Sequence, residues 1–178
     1  VELPGYEADD LIATYANFFD KKKWTIEIVS SDKDLMQLVN KNIYMRDPIK
    51  NKVIGCEEVF EKFGVYPEKV IDVQSLAGDN VDNIPGAPGI GIKTAALLVN
   101  EFGSLENILN NFSKIKQNKR REAIKNNIEN INISKKLVTL KSDIDIEIVL
   151  EQISDTSVNS TTLSKFFKNN NFNNLNLK

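Results

Sequence analysis

Residues 76–99 read LAGDNVDNIPGAPGIGIKTAALLV, and this stretch decides how the chain folds. A helical pattern that begins at Pro67 stops at Gly78, and a second helical pattern begins near Lys93. Between them, two glycines flank Ile90, so the isoleucine side chain can insert into the core while the backbone approaches a partner closely. The stretch therefore predicts two helices joined by a tight hairpin.

This hairpin has the features of a phosphate-binding element. The helix that follows it begins with exposed amides that can bind an anion, and Lys93 adds a positive charge. A helix–hairpin–helix of this kind binds DNA phosphates without reading the base sequence. A tight turn without any ligand is one alternative. A nucleotide-binding P-loop is another, but Ile92 separates Gly91 from Lys93 and no strong strand precedes Gly86.

Outward from the hairpin, the periodicity predicts two parts. Before Gly55, we predict helices at residues 8–20 and 33–39 and strands at 25–29, 42–45 and 53–54. After Gly55, we predict helices at residues 57–63, 68–77, 93–102, 118–130, 134–140 and 162–168, and one more that Ser104 caps. The fold class is α/β. Residues 1–55 form a layered part without its first strands, and residues 56–178 form a helical lobe that carries the hairpin at about 67–102 and ends in an Asn-rich tail.

The composition excludes several kinds of chemistry. The 178 residues include no histidine and one cysteine, so neither a His/Cys zinc site nor a Ser-His nucleophile can be built. A metal would have to be held by oxygen ligands, which favours Mg²⁺ or Mn²⁺. The single Cys56 fits a reducing cytoplasm. No apolar run approaches the length of a membrane span.

The charge is unevenly distributed, although the net charge is only −2. Residues 114–136 contain eight basic and two acidic side chains. A basic face beside an acidic pocket suits an enzyme that acts on a polyanion, and a solvated helix surface is the alternative. The basic residues are Lys114, Lys116, Lys119, Arg120, Arg121, Lys125, Lys135 and Lys136.

Three short clusters hold seven carboxylates: Glu7, Asp9 and Asp10; Asp32 and Asp34; Asp79 and Asp82. The second cluster follows the carboxyl end of a predicted strand, where open α/β sheets usually bind ligands. If the clusters converge, their repulsion requires cations, and two divalent ions would clamp the oxygens of a phosphoryl displacement. Taken singly, each cluster also fits a helix cap or an Asx turn.

Together with residues 76–99, the strings PGYEADDLIA (residues 4–13) and SSDKDLMQLV (residues 30–39) resemble signature segments of a known family. That family comprises the 5′–3′ exonuclease domain of bacterial DNA polymerase I and its flap-endonuclease relatives. The resemblance implies a PIN-like core with a helix–hairpin–helix lobe. It also implies a structure-specific 5′–3′ exonuclease or flap endonuclease that hydrolyses DNA phosphodiesters with two metal ions, in replication and repair.

The resemblance also implies roles for individual residues. The metal ligands would be the seven carboxylates above, and no further catalytic residue is expected. The DNA-binding residues that match the family's hairpin would be Gly89, Gly91, Lys93 and Thr94. We also expect Gly86 and Ile90 of the same hairpin, and Lys119, Arg120 and Arg121 of the basic stretch, to bind DNA. The implied ions are two Mg²⁺ (or Mn²⁺), with K⁺ as a further ion at the hairpin. The implied partner is flapped, nicked or branched DNA, and the implied location is the bacterial cytoplasm. Whether the same polypeptide also contains a polymerase domain is left open.

The chain departs from the family pattern at its start. The family carries a first strand, two more metal-binding aspartates and a basic helical arch in a portion that would precede Val1. We therefore expect the chain to be truncated and, alone, weak or inactive as a nuclease. The alternatives are a non-catalytic helix–hairpin–helix DNA-binding module and a PIN-type ribonuclease. The ribonuclease is disfavoured because the hairpin lobe suits duplex DNA, whereas RNA is more often bound as single strands.

Overall fold

The structure is a computed structural model that describes residues 1–147 and 159–172. It begins with helix α1 (Ala8–Lys21), which buries Leu11, Ala13 and Ala16. Strands β1 (Ile26–Val29), β2 (Ile43–Asp47) and β3 (Lys52–Ile54) form a sheet in that order. A 3₁₀ helix (Asp34–Leu38) lies in the crossover from β1 to β2. The three predicted strands and the helix before them are thus confirmed, while the predicted helix at 33–39 is a 3₁₀ helix.

The sheet is mixed because its two connections differ in length. Strands β1 and β2 are parallel, with Ile26 opposite Ile43, and the crossover between them is long enough to return the chain to the same end. Strands β2 and β3 are antiparallel, with Met45 opposite Ile54, and a tight turn joins them. The crossover places residues 30–34 beyond the carboxyl end of β1, at the edge where the acidic second cluster begins.

The tight turn between β2 and β3 depends on one carboxylate. The side chain of Asp47 accepts hydrogen bonds from the backbone amides of Ile49 (2.9 Å) and Lys50 (3.0 Å). These bonds favour the charged form and lower the pKa of Asp47, the bond from Lys50 most strongly. The turn should therefore be held more firmly when Asp47 is ionised.

Replacing Asp47 with asparagine should lower stability in a pH-dependent way. Because the folded-state pKa is lowered, the contribution of Asp47 is present above its ordinary pKa and is lost as the pH falls through the folded-state pKa. The urea midpoints of Asp47→Asn and wild type should differ most at neutral pH, and the difference should shrink as the pH falls below the ordinary pKa of an aspartate. Glu101→Gln, at an exposed position on a later helix, is the control. A difference between the urea midpoints of Asp47→Asn and wild type that stays constant with pH would contradict the role of ionised Asp47 in the turn.

Seven helices follow the sheet in the described residues: α2 (Cys56–Phe63), α3 (Val70–Ala77), α4 (Ile92–Phe102), α5 (Leu105–Asn110), α6 (Asn118–Lys125), α7 (Ile128–Val138) and α8 (Ser160–Asn169). Short 3₁₀ turns precede α3 and α6. The predicted stop at Gly64 is confirmed by its left-handed conformation (φ 72°), and the predicted cap by the bond from the amide of Asn107 to Ser104 Oγ (3.2 Å). None of these helices is long and apolar enough to cross a membrane.

The prediction of helices at 118–130 and 134–140 was wrong at their junction. The first helix ends at Lys125, and α7 runs without interruption through residues 131–133. Two adjacent asparagines cause the break, because the Asn127 side chain bonds the carbonyl oxygen of Ala123 (2.8 Å) and competes with regular helix bonding. Helix α7 continues because Ile131 and Ser134 are buried.

One hydrophobic core joins the sheet to the helices. Met45 from β2, Val73 from α3, Leu98 from α4 and Ile131 from α7 belong to the same buried cluster. Residues Val1–Ile144 form one compact unit, and the core therefore continues across the predicted division near Gly55. That division stays a prediction. Helix α3 makes the central contacts of the lobe, since it packs against both α4 and α7.

The second compact unit is Asp145–Lys178. Its helix α8 confirms the predicted helix at 162–168, and the side chain of Asn159 caps it by accepting a hydrogen bond from the amide of Thr162 (2.9 Å). The rings of Phe166, Phe167 and Phe172 pack against one another with centroids 6.1–6.4 Å apart. The last six residues of the Asn-rich tail lie outside the described residues.

Candidate metal and nucleic-acid site

The first two acidic clusters come together at the start of α1. Glu7 is the residue before the helix, and Asp9 and Asp10 lie in its first turn. Burial raises the pKa of Asp9, and the charges of Asp32, Asp34, Glu7 and Asp10 raise it further. Because the effect of a neighbouring charge on a pKa weakens with distance, Asp32 and Asp34 lie in the neighbourhood of Asp9. The tertiary structure thus concentrates negative charge between the helix start and the end of β1.

The second cluster is shaped by its own hydrogen bonds. The amide of Asp32 donates to Ser30 Oγ (3.0 Å), and the amide of Asp34 donates to Asp32 Oδ1 (2.9 Å). Gln74, which is buried on α3, donates from Nε2 to the carboxylate of Asp34. The pKa of Asp34 is raised by burial, despite the bond from Gln74, and the charges of Asp32 and Asp82 also raise it. Asp82 therefore belongs to the same acidic region.

The third cluster is held by backbone bonds and by a lysine. Asp79 and Ile84 exchange two backbone hydrogen bonds (2.8 and 2.7 Å), which close the loop around Asp82. Lys33 Nζ forms an ion pair with Asp79 and lies 3.6 Å from Asp82 Oδ2. The hydrogen bond from Lys33 lowers the pKa of Asp79, and the same bond raises the pKa of Lys33. The sequence prediction missed Lys33, although it stands between Asp32 and Asp34.

The acidic region fits a divalent cation in charge and donor type. Its carboxylates repel one another, and a cation would relieve that repulsion. In residues 1–147 and 159–172, however, no three Asp, Glu or Cys side chains are grouped closely enough to hold an ion. Lys33 supplies part of the positive charge that the region requires. The ligand roles of the seven carboxylates stay predictions.

Asp10 has a structural contact that the sequence did not indicate. Its Oδ1 accepts a hydrogen bond from the backbone amide of Lys141 (2.8 Å). Asn17 donates to the carbonyl oxygen of Ser142 (2.9 Å), and Gln37 donates to that of Val138 (2.9 Å). These bonds fasten the segment after α7 to α1 and to the crossover. Asp10 is thus already used in holding the unit together.

Lys33 and a divalent ion should compete for the third cluster. Without metal, Lys33→Ala should lower the free energy of unfolding by about 1 kcal/mol, since a partly exposed pair loses its cation. Addition of Mg²⁺ should then raise the melting temperature of Lys33→Ala more than that of wild type, because the ion replaces the missing charge. Differential scanning fluorimetry with and without Mg²⁺ measures both effects.

Lys52→Ala is the matched control, because the pair between Lys52 and Glu61 is exposed and 3.9 Å long. It should change stability by less than about 0.5 kcal/mol and leave the Mg²⁺ response unchanged. An equal Mg²⁺ response in wild type and Lys33→Ala would contradict the competition.

The hairpin contains two kinds of glycine. Gly78, Gly86 and Gly89 all have positive φ (67°, 55° and 79°), but only Gly78 and Gly86 pack backbone to backbone: a Cβ on Gly86 would lie 2.7 Å from Gly78 Cα. Gly89 and Gly91 are exposed, and a Cβ on either would meet nothing within 4 Å. Ile90 is 2% exposed and inserts into the core. Gly89 and Gly91 thus offer open backbone, while Gly86 and Ile90 are packed inside.

The remaining predicted DNA-binding residues also differ in availability. Lys93 and Lys119 are exposed, and Arg120 and Thr94 are partly buried. The guanidinium of Arg121 is occupied within the protein, because it donates to the carbonyl oxygen of Ile115 (3.0 Å) and to Asn118. Gly91 is the residue before α4, and its carbonyl oxygen accepts bonds from the amides of Thr94 and Ala95 (both 2.9 Å). All these DNA-binding roles stay predictions.

Ser134 fastens the hairpin to α7. Its Oγ accepts a hydrogen bond from the buried amide of Gly86 (2.9 Å) and donates to the carbonyl oxygen of Asn130 (2.8 Å). Ser134→Ala should lower the free energy of unfolding by about 1–2 kcal/mol, because the amide of Gly86 would be buried without a partner. Urea unfolding measures the loss.

Thr139→Ala is the control for Ser134→Ala. Its hydroxyl also donates to a carbonyl oxygen four residues earlier (2.6 Å to Lys135), but it is exposed and accepts no bond from the hairpin. The change should stay within about 0.5 kcal/mol. Equal losses in the two variants would show that the bond to Gly86 contributes nothing.

Comparison with known proteins identifies both parts of the chain. Residues 1–64 match the family model of the 5′–3′ exonuclease N-terminal resolvase-like domain. Residues 65–161 match the model of the 5′–3′ exonuclease C-terminal SAM fold. The predicted fold class, an α/β PIN-like core followed by a helical lobe, is confirmed.

Relatives with curated names agree with the family models. A DNA polymerase I of Rhizobium leguminosarum is 48% identical over 94% of this chain and 16% of its own length. A 5′–3′ exonuclease of Aquifex aeolicus is 45% identical over 86% of this chain and 52% of its own. The chain therefore spans about half the length of the stand-alone exonuclease and a smaller part of the polymerase.

Solved structures have the same fold. A bacteriophage T5 5′-exonuclease mutant aligns with a TM-score of 0.73 at 23% identity, over 79% of this chain and 58% of that one. A bacteriophage T5 flap endonuclease, in a pseudo-enzyme–product complex with DNA and metal ions, aligns with a TM-score of 0.72 at 22% identity, over 94% of this chain and 59% of that one. The family models together with these relatives show that the chain belongs to the 5′–3′ exonuclease family.

Proposed function

We propose that the chain is part of a structure-specific 5′–3′ exonuclease or flap endonuclease that hydrolyses DNA phosphodiesters in replication and repair. The observation that carries this proposal is the loop of residues 78–86. Asp79 and Asp82 lie in this loop beside the acidic region, and the contact of Gly78 with Gly86 joins it to the hairpin. The hairpin would therefore bind phosphates at a fixed distance from the acidic region, as cleavage at a junction requires.

The acidic region would act with divalent cations. Asp9, Asp32, Asp34 and Asp82 would hold them, with Glu7, Asp10 and Asp79 as the further predicted ligands. Two Mg²⁺ or Mn²⁺ ions would supply Lewis-acid chemistry to the phosphodiester. Gln74 orients the Asp34 carboxylate, and Lys33 neutralises Asp79 until a cation binds.

The hairpin would hold the duplex beside the cut. The open backbone at Gly89 and Gly91 and the charge of Lys93 would bind phosphates, and Lys119 and Arg120 would extend the contact. K⁺ at the backbone carbonyls of the hairpin belongs to this proposal. So does a cytoplasmic location. A polymerase domain in the same polypeptide stays open, because the relatives include both DNA polymerases I and 5′–3′ exonucleases.

A second candidate is a non-catalytic DNA-binding module. Two observations favour it: Lys33 pairs with Asp79 and Asp82, and within the residues that the structure describes no three carboxylates are grouped for a metal. Both candidates bind duplex DNA through the hairpin, and only the nuclease cleaves it.

Cleavage of a labelled 5′-flap DNA in Mg²⁺ separates the two candidates. The complete gene product, with any segment upstream of Val1 included, should cut at the base of the flap. Binding without cutting would favour the module. The 178-residue chain alone should cleave weakly or not at all, because no three carboxylates of its described residues are grouped for a metal, and efficient cleavage by it would contradict this expectation.

A further inference from the structure

A cavity of about 310 Å³ lies beside the acidic region and is not used by the proposed chemistry. The β2–β3 turn and α2 form its walls, with Lys50, Lys52 and Lys62 on them, and Ser31 lies at the end near Asp32. Its volume is at the lower end of the range for small-molecule sites, enough for a phosphate group and part of a sugar.

The carboxylates around this cavity are already engaged. Asp47 binds the amides of its own turn, and Glu58 accepts a hydrogen bond from the amide of Gly55 (2.9 Å). Glu61 lies 3.9 Å from Lys52, and Asp47 lies 3.8 Å from Lys50. The acidic residues of the wall therefore leave one lysine, Lys62, without a counter-charge.

Lys62 is the unpaired cation of the cavity. In the part of the chain that the structure describes, no carboxylate oxygen lies within 4.0 Å of its Nζ. The Nζ lies 5.9 Å from the centroid of the Phe63 ring, so an apolar surface flanks it. Burial lowers the pKa of Lys62, and the positive charges of Lys33 and Lys50 lower it further. The location thus favours an anion.

The anion would lie close to the acidic region. The charges of Asp32 and Asp34 act on Lys62, which places the cavity next to these predicted ligands. Several nearby carboxylates would repel a free anion. A nucleic-acid strand that crosses the acidic region, however, carries a phosphate on each side of the cleaved bond and brings it to the cavity. A row of lysines beside the acidic region suits the neighbouring phosphate of the same strand.

We propose that this cavity is a phosphate subsite, in which Lys62 and Lys50 bind one phosphate group of the nucleic-acid strand that passes the acidic region. The inference rests on the proposed function, since it names a further contact with the same substrate. Lys62 acts here as a binding residue, and the phosphate that it binds is not the one that is cleaved.

The experiment is a coupling measurement on the complete gene product. Binding of a labelled 5′-flap DNA is measured in Ca²⁺ for wild type and for Lys62→Gln. Each protein is tested with DNA that has only natural phosphates. It is then tested with DNAs in which one phosphate near the flap base is replaced by a neutral methylphosphonate, one position at a time. Lys62→Gln should weaken binding about tenfold. At one or two positions the methylphosphonate should weaken wild type and leave Lys62→Gln unchanged, because both changes remove the same contact.

Lys41→Gln is the matched control, since Lys41 is also exposed but lines a different cavity. Equal affinity of wild type and Lys62→Gln, or the absence of any coupled position, would overturn the subsite. Competition by inorganic phosphate without a coupled position would reassign the cavity to a free anion and overturn it as well. Binding in Ca²⁺ does not depend on cleavage. The coupling between Lys62 and a DNA phosphate can therefore be observed even if the protein is not a nuclease. The phosphate subsite and the proposed nuclease activity can thus be disproved independently.

Discussion

Gly86→Ala should destabilise the protein by about 3–5 kcal/mol, a large part of the stability of an ordinary domain. The added Cβ would lie 2.7 Å from both Ala77 C and Gly78 Cα, which are backbone atoms and cannot turn aside. The left-handed conformation (φ 55°) adds about 1–2 kcal/mol for an L-residue. Relief would require α3 and the hairpin to separate, and α3 packs against both α4 and α7. Urea or thermal unfolding measures the loss.

Gly91→Ala provides the contrast within the same hairpin. Gly91 has an extended backbone (φ −90°), and an added Cβ meets no atom within 4 Å, so stability should change by less than about 0.5 kcal/mol. If the exposed backbone binds phosphate, this variant should still weaken duplex binding. Near-wild-type stability of Gly86→Ala would disprove the packing role of Gly86. Unchanged duplex binding by Gly91→Ala would disprove the binding role of Gly91.

Asp34→Asn should reduce flap cleavage by the complete gene product at least about a hundredfold, which corresponds to about 2.7 kcal/mol of transition-state stabilisation. The substitution removes the charge of a partly buried carboxylate within the acidic region. The remaining carbonyl oxygen can still accept the hydrogen bond from Gln74. Since burial and neighbouring carboxylates disfavour the ionised Asp34, the metal-free variant should be at least as stable as wild type.

Asp10→Asn is the matched variant in the neighbouring cluster. The Oδ1 of Asp10 accepts the amide of Lys141, and asparagine can replace that contact without the charge. Cleavage should fall in both variants, since both residues belong to the predicted ligand set. A smaller fall in Asp10→Asn than in Asp34→Asn would show that Asp10 serves mainly the contact with Lys141. Initial rates at saturating Mg²⁺ compare the two, with duplex binding as the test of folding. Equal rates for Asp34→Asn and wild type would remove Asp34 from the site.

Much of the local structure was predictable because it depends on neighbours in the chain. The stops at Gly64 and Gly78, the cap at Ser104 and the strand before Ser30 follow from patterns of a few residues. The break between α6 and α7 was not predicted, because an asparagine can lie in a helix or end one, and the bond from Asn127 to Ala123 that ends this one is not visible in the sequence. Burial of Ile131 and Ser134 decided that the helix resumes before them.

The amino-acid sequence by itself determined the fold class, the absence of histidine chemistry, the three acidic clusters and the glycine hairpin, because each of these is a matter of residue type and spacing. The tertiary structure alone decided that Lys33 neutralises Asp79, that Asp10 holds the segment at Lys141, and that the guanidinium of Arg121 is occupied inside the protein. It also distinguished Gly86, which packs against the backbone of Gly78, from Gly91, which has free space around its Cα. The physical reason is that charge pairing and close backbone packing depend on distances between residues far apart in the chain, and spacing along the sequence does not encode those distances.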